Sequence, residues 1–172
     1  MTGLASRRAV KPQTRKGSRS RMAREGAGPA LFTIGYEKRS PREFFQALRK
    51  AGVDYLADVR LRPMSRKPGF GKSALAAACA RAGIEYGPWP RLGSPQPLRD
   101  KLHAGGSLPD FLRGYRAFAT RAGRADVAAL AELVKRRRVA LLCFEREHDE
   151  CHRSVLADLI ADQTGARVLA IP

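Results

Sequence analysis

The densest group of reactive side chains in this sequence is the segment CFEREHDECHR, which begins at Cys143. It contains two thiols, one on Cys143 and one on Cys151, beside the imidazole of His152 and the guanidinium of Arg153. Asp149 is predicted to cap a helix, which places Cys151, His152 and Arg153 in its first turn. Free N–H groups and the helix dipole favour an anion there and lower the pKa of a thiol.

Two kinds of thiol chemistry are conceivable in this segment. Cys143, Cys151 and His152 are zinc-ligand types, but the spacing C-x7-C-H matches no common zinc site and no fourth ligand is evident, so we assign no metal. Cys151 is also a candidate nucleophile with His152 as its base. Adjacent positions on a helix point about 100° apart, however, which disfavours that pair.

Two carboxylates, Asp58 and Glu145, follow apolar runs and are candidates for general acid–base catalysis. The alternative is a buried ion-pair network with Arg60 and Arg153, which perturbs pKa values equally well. We favour an arrangement in which His152 is a hydrogen-bonded residue at the edge of the core. Arg153 then binds phosphate between Asp58 and Glu145 and shares the anion with Arg60.

A second basic segment follows Val59. It carries no acid before Ile84 and holds Arg60, Arg62, Arg66, Lys67 and Lys72. Phe70 lies between two glycines and is expected to offer a stacking face to a base. Such a loop suits a phosphate or a nucleic-acid backbone, although a solvated basic loop explains the same charges.

Alternating apolar runs and helical patterns position these residues. The predicted strands are 31–36, 55–60, 84–89, 139–145 and 166–171, and the predicted helices are 40–52, 73–82, a helix starting at Ser107, 126–137 and 150–163. Residues 90–107 are expected to be irregular. This order predicts one α/β domain over residues 30–172, with three layers and a Rossmann-like, mostly parallel sheet of about five strands. In such sheets, ligands bind beyond the carboxyl ends of the strands.

Composition limits the partners. The chain has 172 residues with 33 basic and 16 acidic side chains, a net charge of +17, and residues 1–29 carry eight of these cations and one acid. We therefore expect a disordered basic arm over 1–29 and an anionic partner, which is DNA, RNA or a phosphorylated small molecule. Three scattered cysteines and the lack of a secretory signal predict a cytoplasmic protein. No apolar run approaches the roughly 18 residues of a membrane span, so no membrane partner is expected.

Four short motifs resemble a known family. They are TIGY, DVR followed by SR, the set Tyr86, Pro90, Leu92 and Gly93, and CxE followed by CHR. Over about residues 31–163 the chain is similar to the family called domain of unknown function 488. The resemblance implies shared positions at Gly35, Asp58, Arg60, Ser65, Arg66, Gly93, Cys143, Glu145, Cys151, His152 and Arg153. The family name carries no activity.

The leading hypothesis is an enzyme that acts on a phosphate-bearing substrate, a nucleic acid or a nucleotide, without a bound cofactor. The candidate catalytic residues are Asp58, Glu145, Cys151 and His152, and the candidate phosphate-binding residues are Gly35, Tyr36, Arg60, Ser65, Arg66 and Arg153. A non-catalytic nucleic-acid-binding module is the alternative, and a metal-dependent or thiol-dependent enzyme is the third. Carboxylates among the arginines favour catalysis, because a pure polyanion binder gains nothing from negative charge in its groove.

Overall fold

A computed structural model describes residues 28–172, so the predicted disordered arm, 1–29, lies outside the described residues except for its last two positions. The strands are β1 (Ala30–Gly35), β2 (Tyr55–Asp58), β3 (Glu85–Pro88), β4 (Val139–Cys143) and β5 (Arg167–Ala170). The helices are α1 (Pro41–Lys50), α2 (Lys72–Ala82), α3 (Gln96–His103), α4 (Leu108–Arg121), α5 (Arg124–Val134) and α6 (His152–Thr164), with a short 3-10 helix at Pro90–Leu92. Among these residues, no helix is long and apolar enough to cross a membrane.

The five strands form one sheet in the order β3-β2-β4-β1-β5, and every neighbouring pair is parallel. The chain first moves outward from β1 to β2 and β3 and then returns to place β4 between β1 and β2. In this register, Gly35 is opposite Cys143 and Asp58 is opposite Leu142. The predicted parallel α/β sheet is confirmed, and the carboxyl ends of three strands meet at one edge.

Helices cover both faces of the sheet, which gives the predicted three layers. One core contains residues of α1 and α2, and the other contains residues of α4, α5 and α6. Successive residues of β1 point to opposite faces, so that Leu31 belongs to one core while Phe32 belongs to the other. The helices on each face follow from the direction of travel, because right-handed crossovers in opposite directions lie on opposite faces.

The start of α1 follows its sequence signals. Ser40 is the N-cap, its Oγ accepts from the backbone N–H of Glu43, and the Glu43 carboxylate accepts in return from the backbone N–H of Ser40. Pro41 occupies the first turn, where a missing N–H costs no helical hydrogen bond. This capping box was predicted, and it fixes the direction in which the chain leaves the loop after β1.

Two local predictions were wrong. Residues 90–107 are not irregular, because α3 forms there with its prolines in the first turn, where helices tolerate them. Cys151, not Asp149, is the N-cap of α6. Asp149 lies inside a turn that the Cys151 N–H closes on the His148 carbonyl, so its side chain does not cap the helix.

Gly35 is required by a close approach between two chain segments. A Cβ at this position would lie 1.8 Å from the carbonyl oxygen of Glu145. We expect Gly35→Ala to lower the free energy of unfolding by about 3 kcal/mol, since backbone cannot move aside as a flexible side chain can. Gly28→Ala is the matched control, because a Cβ there meets nothing within 4 Å. Urea denaturation measures both, and equal stability of the two variants would contradict the close approach.

Candidate functional site

A cavity of about 340 Å³ lies at the carboxyl edge of the sheet. Its polar and reactive lining comes from strand ends, from the start of α6 and from α3: Tyr36, Arg60, Arg62, Ser94, Arg99, His103, Cys143, Glu145, Glu150, Cys151 and His152. The loops after β2 and β4 open away from each other here, because their following helices cover opposite faces of the sheet. This is the position where open parallel sheets bind ligands.

A larger cavity of about 550 Å³ lies between α1 and α2 on the outer surface. Arg42, Arg49 and Arg81 contribute its charges, and no thiol, imidazole or carboxylate lines it. It offers cations without any group that can exchange a proton or attack a substrate. The strand-end cavity is therefore the candidate site.

Asp58 is the centre of a buried polar network. Its carboxylate accepts from Arg60 Nε at 2.7 Å, from Arg60 Nη2 at 2.6 Å and from the Tyr86 hydroxyl at 2.6 Å. Arg60 also donates to the Phe70 carbonyl at 2.9 Å, which ties the end of β2 to the basic loop. Asp58 is 1% exposed. Both of its oxygens are engaged, so the geometry matches the ion-pair alternative for Asp58 and Arg60.

Arg153 does not occupy the predicted position. It is buried and donates to the backbone carbonyls of Glu145 and Arg146, the second at 2.8 Å. The expectation that it points between the Asp58 and Glu145 carboxylates and shares an anion with Arg60 was wrong. Because the helix begins after Cys151, Arg153 is its second residue and packs beneath the loop after β4. It fixes that loop through main-chain contacts.

The two thiols and the imidazole form a compact cluster. His152 Nδ1 lies 3.5 Å from Cys151 Sγ and 3.8 Å from Cys143 Sγ, while Nε2 lies 3.2 Å from the Val59 carbonyl oxygen. A carbonyl only accepts, so Nε2 carries the hydrogen and Nδ1 faces the sulfurs. The helical argument against pairing Cys151 with His152 fails, because Cys151 is extended at φ −130° rather than helical. The Tyr115 ring packs edge-on against the imidazole, with centroids 4.9 Å apart.

Burial and proximity couple the protonation of this cluster. The hydrogen bond from Cys151 lowers the pKa of the Cys143 thiol well below its ordinary value, and His152 lowers it further against the effect of burial. Burial raises the pKa of Cys151 and of Glu145, and the negative charge that develops on Cys143 adds to both shifts. Burial lowers the pKa of His152, but Cys143 and Glu145 raise it by more. One proton is thus shared unequally between the two thiols.

The remaining predicted phosphate-binding residues are dispersed. Tyr36 lines the cavity, but its ring stacks on Phe70 at a centroid distance of 4.6 Å. Phe70 is fully buried, so the stacking face predicted for a nucleic-acid base is already occupied. Ser65 accepts from the Lys67 N–H within its own turn, and Arg66 is exposed outside the cavity lining. Gly35, the sixth of these positions with the two arginines above, serves chain packing.

The sequence analysis missed the contribution of α3. Arg99 and His103 both line the cavity from this helix. Their spacing of four residues places them on one helical face, a signal hidden by the assignment of the segment as irregular. Arg99 Nε is buried without a hydrogen-bond partner among the described residues, and Arg62 on the opposite wall is exposed. These two guanidinium groups, not Arg60 and Arg153, face the cavity without a carboxylate partner in the part of the chain that is described.

The Asp58 network predicts a large asymmetry between two carboxylate-to-amide substitutions. Asp58→Asn leaves the Arg60 charge buried and uncompensated, which is expected to cost about 3–5 kcal/mol of stability. Glu132→Gln removes an equal charge from an exposed pair with Lys135, and is expected to cost less than about 1 kcal/mol. Urea denaturation at neutral pH compares the variants. Similar losses in both would show that Asp58 is not the centre of a buried network.

Comparison with known proteins gives one match. No curated protein and no solved structure matches the chain. The family model described as domain of unknown function DUF488 matches residues 40–160, which is more than half of the sequence and includes the loops that line the cavity. The motifs that resembled this family lie mostly within the matched range. The chain belongs to the DUF488 family.

Proposed function

We propose that the protein is an enzyme that acts on a phosphate-bearing substrate, a nucleic acid or a nucleotide, in the strand-end cavity. The observation that carries this proposal is the combination of two groups in one cavity. Arg62 and Arg99 supply positive charge at its walls, while Cys143, Cys151 and His152 supply reactive groups at its floor. A module that only bound phosphate would need the first group and not the second.

The cations support the phosphate assignment. A guanidinium presents paired donors that match two oxygens of one phosphate, and Arg62 and Arg99 approach the cavity from different elements. The buried Nε of Arg99 has no partner among residues 28–172, so a ligand oxygen there would satisfy a donor that is otherwise costly to bury. Arg60 and Tyr36 complete this wall, with Arg60 held in place by Asp58.

The floor of the cavity supports catalysis. His152 is oriented by the Val59 carbonyl, which leaves its other nitrogen directed at two thiols. Glu145 lies beside the same thiols and provides a carboxyl group for proton transfer. In this proposal, Asp58 is a positioning residue that holds Arg60, and the groups that touch the substrate are Glu145, Cys151 and His152. Free thiols at the site fit the reducing cytoplasm that the cysteine content predicts.

The charge distribution favours a polyanion over a small phosphorylated molecule. The groove between α1 and α2 adds Arg42, Arg49 and Arg81, all exposed, on the outer surface of the domain. That groove is also the observation in favour of the second candidate, a non-catalytic nucleic-acid-binding module. Phosphates along a strand would then bind the groove, and the strand-end cavity would contribute little to affinity.

Two matched double variants separate these candidates. Arg62→Gln/Arg99→Gln is expected to weaken binding of a fluorescent single-stranded oligonucleotide at least tenfold, because each lost bidentate phosphate contact is charge-assisted. The slope of log affinity against log salt should fall by about 0.7 for each contact. Arg42→Gln/Arg81→Gln removes the same charge from the groove and is expected to weaken binding less than about threefold. Fluorescence anisotropy across a salt titration measures both.

The reaction itself is read from product formation. The wild-type chain, incubated with oligonucleotides and with free nucleotides, should yield a product that mass spectrometry detects, and the Arg62→Gln/Arg99→Gln variant should yield less at limiting substrate. Binding without any product would establish the binding module instead. Loss of binding only in the Arg42→Gln/Arg81→Gln variant would contradict the cavity as the substrate site.

A further inference from the structure

We propose that Cys143, Cys151 and His152 bind one zinc ion, with its fourth coordination position open to the strand-end cavity. The three ligand atoms lie within 4.8 Å of one another, and all three residues are buried. They come from two elements that meet at one point, the end of β4 and the start of α6. This assignment does not depend on the phosphate-bearing substrate, because it uses none of the arginines.

The distances fit a tetrahedral metal centre. With Zn–S bonds of about 2.3 Å and a Zn–N bond of about 2.05 Å, a sulfur and a nitrogen ligand lie about 3.6 Å apart. His152 Nδ1 lies 3.5 Å from one sulfur and 3.8 Å from the other. A hydrogen-bonded cluster explains these contacts less well, since one nitrogen lone pair accepts only one S–H donor while both sulfurs surround it.

The second nitrogen of His152 is arranged as in metal-ligating histidines. Such histidines almost always donate their other ring N–H to a carbonyl or carboxylate, which fixes the ring and the tautomer. Here Nε2 donates to the Val59 carbonyl at 3.2 Å, and the Tyr115 ring packs edge-on against the imidazole. The ring is therefore held with Nδ1 toward the two sulfurs before any metal binds.

A buried oxygen points to a further group at the site. Glu145 Oε2 is inaccessible to solvent and has no hydrogen-bond partner among the described residues. Glu145 is not one of the three mutually close ligands, but its carboxyl interacts with both thiols. A water or substrate oxygen on the fourth position of the metal would give Oε2 its missing partner.

The donor set selects the class of metal. Two thiolates and one imidazole in tetrahedral geometry favour zinc over magnesium or calcium, which prefer oxygen ligands. Three protein ligands with one open position are typical of catalytic rather than structural zinc sites. The sequence spacing argued against zinc because the fourth ligand was sought in the chain, whereas a catalytic site takes it from solvent or substrate.

Metal analysis of the untagged full chain tests the proposal. Protein expressed with added zinc chloride and desalted under reducing conditions should contain one zinc per chain by inductively coupled plasma mass spectrometry. Cobalt(II) alone, titrated into the metal-free chain, should produce thiolate-to-cobalt charge-transfer absorption and the intense visible bands of a tetrahedral complex. This spectrum reports the ligands without any substitution, so it remains informative if a variant does not fold.

Matched variants assign the ligands. Cys143→Ser/Cys151→Ser is expected to weaken cobalt binding far more than tenfold, because loss of an outer-shell partner alone costs about 10–100-fold. Cys79→Ser removes a thiol buried in the other core, and His103→Ala removes an imidazole from the same cavity, so both should retain one metal per chain.

Two results would overturn the metal site: a wild-type chain that binds neither zinc nor cobalt under reducing conditions, or wild-type affinity in Cys143→Ser/Cys151→Ser. The Arg62→Gln/Arg99→Gln variant separates this outcome from the substrate proposal. It should bind one zinc, and the metal-free wild type should still bind the oligonucleotide. Loss of one property with retention of the other therefore identifies which proposal fails.

Discussion

The insertion of β4 between β1 and β2 is the constraint on which the site depends. It places the ends of three parallel strands side by side and brings Cys143 next to Gly35. The loop after β4 then crosses so close to β1 that only glycine fits opposite the Glu145 carbonyl. Because this loop leads directly into α6, the same constraint delivers Cys151 and His152 to the cavity.

Buried arginines hold this arrangement together and are distinct from the arginines that face the cavity. Arg60 neutralises Asp58 and reaches the Phe70 carbonyl, while Arg153 anchors two carbonyls of the loop after β4. Each removes unpaired backbone acceptors from the interior, so the loops around the cavity need no regular secondary structure. Arg62 and Arg99 remain for a ligand. Position in the network, rather than residue type, separates supporting from binding arginines.

The sequence predicted the sheet and the location of the site better than the roles of its residues. Apolar runs and caps carry local information, so the five strands and the capping box at Ser40 could be read directly. The role of Arg153 could not, because it depends on which residue caps α6, and the turn that displaces Asp149 is closed by a backbone hydrogen bond. Likewise, Arg99 becomes a site residue only through the packing of α3 near β4. Such contacts between distant segments leave no periodic signal.

A crystal structure of the chain with a short 5′-phosphorylated oligonucleotide tests the central claim, that the strand-end cavity is the ligand site. The account predicts a phosphate between the guanidinium groups of Arg62 and Arg99, with the adjoining part of the nucleotide facing Cys143, Cys151 and His152. A phosphate bound only in the groove between α1 and α2, with no part of the ligand in the strand-end cavity, would contradict it.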